Sequence, residues 1–173
     1  RAVSVLEVTD QAYVINSFSK YFSMTGWRIG WMVVPPDHVR TVERLAQNMF
    51  ICAPHASQVA ALGALSAHDE LQGHLQVYEA NRALLLQGLA EAGLRIISPA
   101  DGAFYIYLDV SDWTQDSRSL AQDILHTVGV AVTPGLDFDP ARGHQTLRLS
   151  YARSTEDMKE GLTRLSQYFA AKT

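Results

Sequence analysis

Lysine is scarce in this chain: of its 14 basic residues only three are lysines, at positions 20, 159 and 172. Lys159 and Lys172 fall in a helical pattern at the C-terminal end, where a charged side chain ordinarily meets water. Lys20 stands apart. It lies between two β-prone apolar runs, residues 12–16 and 27–34, with Ser17 and Ser19 before it and Thr25, Gly26 and Arg28 after it. A partly desolvated lysine amine is the nucleophile that forms a Schiff base with an aldehyde. Hydroxyls and a planar guanidinium are the donors that hold a phosphate. Both kinds of group around one lysine point to an aldehyde that also carries a phosphate, and pyridoxal 5'-phosphate meets both requirements.

Residues 16–30, Asn-Ser-Phe-Ser-Lys-Tyr-Phe-Ser-Met-Thr-Gly-Trp-Arg-Ile-Gly, resemble the pyridoxal-phosphate attachment motif of the class I/II aminotransferases, the aspartate aminotransferase-like enzymes of fold type I. The resemblance implies that Lys20 is the Schiff-base lysine, with Ser17 a phosphate donor and Arg28 the phosphate-binding cation. Pro99 and Gly102-Ala103-Phe104-Tyr105 resemble the start of a strand in the family's small domain. Leu147-Arg148-Leu149-Ser150-Tyr151-Ala152 resembles the late strand whose arginine takes the substrate α-carboxylate, so Arg148 is the expected substrate-binding residue. The likeness runs over essentially the whole chain and implies transamination between an amino acid and a 2-oxo acid. It also implies a homodimer. Family members are considerably longer, and the expectation is a C-terminal part of such an enzyme, not competent alone. A carbon–sulfur lyase of the same fold, or an aminotransferase-like sensing domain of a transcription regulator, would share the lysine and phosphate motif.

The elements that must position these residues are legible in outline. The runs at 12–16 and 27–34 read as buried strands of the parallel type, the second ended by Pro35-Pro36. Val39, Val42, Leu45, Ala46 and Met49 recur at helical spacing, and residues 56–67 form a second, alanine-rich helix. A long helix over 69–92 carries Leu71, Leu75, Tyr78, Leu85 and Leu89 and is stopped by Gly93. Strands follow near 94–97 and 103–110, then a helix over 117–128 stopped by Gly129, and strands near 130–132 and 146–152. In the last helix Ser154 is the cap, Asp157 the reciprocal capping-box residue, and Met158, Leu162, Leu165 and Phe169 the buried stripe. The fold class is α/β: part of a large cofactor domain over residues 1–74 and a small C-terminal α/β domain over 75–173.

Composition bounds the rest. Hydrophobic residues make up 47% and charged residues 18% of 173, which excludes a disordered chain. A net charge of −4 gives no footprint for nucleic acid. The absence of a long apolar run argues against a membrane span, and a cytoplasmic location is expected. A single cysteine, Cys52, suits a reducing compartment and reads as a small buried residue. Trp27, Trp31, Tyr105 and Tyr107 read as strand residues of the core. The six histidines show no H-x-x-x-H pair, so no metal site is expected.

Overall fold

A computed structural model of the chain describes residues 3–172. The chain divides into two units, Arg1–Gly73 and His74–Thr173.

In the first unit, β1 (Val14–Ser17) pairs antiparallel with β2 (Gly30–Val33), Ser17 lying opposite Gly30. This corrects the parallel expectation. Parallel neighbours need a crossover connection, usually a helix. The segment 18–29 holds only one short 3₁₀ turn, Thr25–Trp27, and folds straight back. α1 (Val39–Met49) and α2 (His55–Leu65) follow. The apolar residues that suggested burial are largely in the open: Ile15 is 78% exposed, Met49 71% and Leu62 68%. Trp27 and Trp31 are also exposed, at 47% and 41%, rather than core residues. Cys52 is exposed too, because it sits in the turn between the two helices, just after Ile51 with φ 69°. What this unit does bury is a small cluster of Phe18, Met24 and Ala61, with Phe22 and Ile29 packed against it.

The third helix, α3 (His68–Glu91), runs across the division between the units and stops as expected at Gly93, whose φ of 75° suits glycine. In the second unit the sheet order is β3-β4-β6-β5, with β3 Arg95–Ile96, β4 Tyr105–Asp109, β5 Thr133–Pro134 and β6 Thr146–Ser150, and every pair is antiparallel. The strand expected at 130–132 begins instead at Thr133. Side chains alternate across the sheet. Ile106, Leu108, Leu147 and Leu149 face a core completed by Leu85 and Leu89 of α3, Leu120 and Ile124 of α4 (Ser117–Val128), and Leu165 and Phe169 of α5 (Thr155–Ala170). Burying aliphatic side chains of this size stabilises by roughly 1.5–3 kcal/mol each before conformational entropy is counted. Tyr105, Tyr107 and Arg148, at the alternate positions, are only partly covered.

α4 is capped at both ends, by the Asp116 carboxylate at its start and by Gly129, φ 68°, at its finish. The Ser154 hydroxyl accepts from the Asp157 N–H at the start of α5, but the expected capping box is not closed. The Asp157 carboxylate is engaged by Arg153 instead, and aspartate is one carbon shorter than the glutamate that normally reaches back. A complete box forms where none was expected, between Ser4 and Glu7.

Candidate active site

The segment between β1 and β2 is a tight loop with its ends drawn together. The ladder continues one step past Ser17, which lies opposite Gly30, the Phe18 N–H donating to the Ile29 carbonyl at 3.1 Å, so Ser17 and Arg28 flank the two ends of the loop. Gly30 makes that closure feasible: a Cβ there would come within 2.4 Å of the Asn16 carbonyl oxygen. Gly26, by contrast, faces open space. Inside the loop, the Ser17 hydroxyl accepts from the Ser19 N–H at 3.0 Å, and the Thr25 hydroxyl donates to the Ser19 carbonyl. The Ser23 N–H donates to the Lys20 carbonyl at 2.9 Å, fixing the backbone at the lysine. Phe18 and Met24 anchor the loop as its buried residues, Phe18 meeting Phe22 at a tilt and Trp31 edge to face.

Arg28 occupies the left-handed region, φ 50° and ψ 51°, an unusual conformation for a residue with a side chain. Its guanidinium donates to the Thr25 carbonyl at 2.7 Å, while the Ser57 hydroxyl of α2 donates to the neighbouring Trp27 carbonyl at 2.8 Å. The strained backbone at Arg28 is thus fixed by bonds to the loop carbonyls on either side of Gly26. One loop thus offers an amine for a carbonyl carbon, at Lys20, with a hydroxyl and a guanidinium for phosphate oxygens, at Ser17 and Arg28. That donor chemistry fits pyridoxal phosphate.

Arg148 belongs to the second unit and is described there by itself. On β6 it lies opposite Tyr107 of β4 and Thr133 of β5. Its guanidinium carbon sits 4.1 Å from the centre of the Tyr105 ring and 4.4 Å from that of Phe138. Its one hydrogen bond among the described residues is a long one, 3.4 Å from Nη2 to Thr133 Oγ1, and its Nε is buried with no acceptor. Phe138 rides on a loop pinched shut at its base. The Phe138 and Asp139 N–H groups donate to the Gly135 carbonyl, and a Cβ on Gly143 would lie 2.5 Å from the Gly135 carbonyl group. Arg142 and Arg153 lie at the surface, paired with Asp139 and Asp157.

The pattern of the family of aminotransferases of class I and II matches residues 2–165. The chain belongs to that family. A valine–pyruvate aminotransferase of Mycobacterium tuberculosis is 45% identical over 168 residues, 96% of this chain and 43% of that protein. An aspartate/prephenate aminotransferase of Thermus thermophilus is 34% identical over 91% of the chain and 41% of its own length. The crystal structure of an aminotransferase from M. tuberculosis superposes with a TM-score of 0.95 at 43% identity, covering 99% of this chain and 45% of that one. The chain therefore spans a little under half the length of these relatives.

Within this family framework, the sequence marks Lys20 by its isolation, Ser17 and Arg28 by the donors they bring beside it, and Arg148 by the resemblance of its strand. The structure brings the first three into one loop and sets Arg148 on a separate strand of the other unit. Two residues around Arg148 escape sequence reading. Tyr105 reads as an ordinary aromatic strand residue, and Phe138 lies in an irregular stretch with no periodicity. Only the fold brings a residue ten positions upstream onto the guanidinium. Among the described residues there is no cluster of three or more His, Cys, Asp or Glu able to hold a metal, and no helix long and apolar enough to cross a membrane.

Proposed function

We propose that the protein this chain contributes to is a pyridoxal-phosphate-dependent aminotransferase, moving an amino group from an amino acid to a 2-oxo acid. The observation that carries this reading is the closed loop with Lys20 inside it and Ser17 and Arg28 at its two ends. Ser17 and Arg28 would hold the cofactor phosphate, and Arg148 would take the substrate carboxylate. When bound, pyridoxal phosphate supplies an aldehyde that accepts the amino group and a ring that absorbs an electron pair. Lys20 would hold the cofactor's carbonyl carbon, and its amine, when free, would accept the proton from substrate Cα and later give it back, acting as base and then acid. Arg148, by fixing the carboxylate, would orient the substrate and so select which bond at Cα reacts. The named activities of the relatives, valine–pyruvate and aspartate/prephenate transamination among them, support the reaction class and differ in substrate.

Borohydride reduction of the cofactor-loaded full-length protein, followed by peptide mass mapping, tests the reading. The adduct is expected on Lys20; an adduct on Lys159 or Lys172, or none in folded protein, would refute it. Product analysis with amino acids and with cysteine conjugates separates transamination from carbon–sulfur cleavage.

A further inference from the structure

We propose that Tyr105 and Phe138 are positioning residues that hold the Arg148 guanidinium in the plane in which it receives the substrate carboxylate. The inference rests on the reading of Arg148 as the carboxylate-binding residue and adds the means by which it is aimed.

A guanidinium has five N–H donors, all in its own plane. Proteins commonly fix one with a carboxylate, as here for Arg40, Arg95, Arg142, Arg153 and Arg164. At Arg148 a resident carboxylate would compete with the incoming one. The rings of Tyr105 and Phe138 solve that differently. Their faces attract the cation, at 4.1 and 4.4 Å, and present no acceptor to its N–H edge. The one in-plane restraint is the 3.4 Å contact to Thr133 Oγ1, too long to satisfy a charged donor. Nε is closed off from water without an acceptor. A half-buried charge left this underbonded, yet covered by two ring faces, is prepared for a planar anion that approaches edge-on. The two rings differ in how they are held. Tyr105 is fixed by β4, whereas Phe138 is half exposed and depends on the pinched loop from Gly135 to Gly143.

The test uses the full-length enzyme with Phe138→Ala, Phe138→Tyr, Arg148→Ala and the Phe138→Ala/Arg148→Ala pair. Phe138→Ala is expected to raise KM for both the amino acid and the 2-oxo acid about tenfold with kcat within about twofold, and Phe138→Tyr to restore it. In the Arg148→Ala background Phe138→Ala should add nothing, since the ring acts through the guanidinium. An equal loss in that background, or no KM change from Phe138→Ala where Arg148→Ala raises KM, overturns the clamp alone. If Arg148→Ala leaves KM unmoved, the carboxylate reading falls and the clamp with it. A second readout needs no cofactor. In ¹H–¹⁵N spectra of this chain, the Arg148 Nε–H should exchange with water at least about tenfold faster in Phe138→Ala, with the β4 and β6 amides unchanged. Unaltered Nε–H exchange would equally refute the role.

Discussion

At Arg148 charge and shape do separate work, and a substitution that keeps one while removing the other shows it. Lysine keeps the charge but loses the planar fork and the stacking against Tyr105 and Phe138. Arg148→Lys in the full-length enzyme should leave the cofactor absorbance intact and weaken the amino-acid half-reaction by about 2–3 kcal/mol, the worth of a hydrogen-bonded charged group; single-turnover kinetics measure it. Gly30→Ala tests the loop closure. Its Cβ would meet backbone rather than a movable side chain, so cofactor binding by the full-length protein should be lost together with the Ser17–Gly30 pairing, whereas Gly26→Ala should fold normally. As candidates, Lys20, Ser17 and Arg28 stand out in the sequence because a rare residue type with phosphate donors close by falls in one family-like motif. The rings over Arg148 do not, because their relation to it exists only after β4, β6 and the 135–143 loop have come together.

Among the elements, α4 offers a pH-dependent handle. The Asp116 carboxylate accepts from the Ser119 hydroxyl and from the N–H groups of Ser119 and Arg118, and these bonds hold it below its usual range. Asp123 is lowered by the Tyr168 hydroxyl and Lys172, and Asp139 by the N–H groups of Arg142 and Ala141. All three carboxyls titrate lower when folded, so the unfolded chain takes up protons first as pH falls. Their contribution is present above the ordinary carboxylate range near pH 4 and drains away below it. Tm should therefore fall on acidification through that range, and Asp116→Asn, which keeps a cap but no charge, should flatten the slope. Ser154→Ala should cost about 1 kcal/mol by removing the α5 cap, read by denaturant titration. Helix 117–128 was readable to its ends from caps and spacing, and the start of helix 155–170 from its Ser154 cap. Strand direction in the first unit was not, since apolar runs are the same in either pairing and the connection decides.

Over the molecule as a whole, burial is unequal. The second unit closes a core in which Leu89, Val110 and Ile124 have no solvent exposure, while no residue of α1 is buried and most large apolar side chains of α1 and α2 are open. Amide hydrogen exchange on the chain should find the slowest amides in β4 and β6 and much faster exchange over residues 17–30, and sedimentation should show concentration-dependent association through the exposed faces. Equal protection of both regions in a monomer would contradict this. The sequence conveyed which residues are apolar, but an amphipathic helix records only that one face seeks cover, not what provides it.

The two glycines at the base of the 135–143 loop have a consequence for how the protein can vary. A Cβ at Gly135 would collide with the Thr146 hydroxyl and with that of Tyr107, and one at Gly143 with the Gly135 backbone, so neither position admits another residue without opening the loop that carries Phe138. In a saturation library selected for amino-group transfer, Gly135 and Gly143 should rank among the least replaceable positions of the second unit, alongside Arg148. Between them, the solvent-facing Leu136, Asp137 and Ala141 should drift freely. The loop would then record ancestry at its tip and constraint at its hinge points, within nine residues of chain.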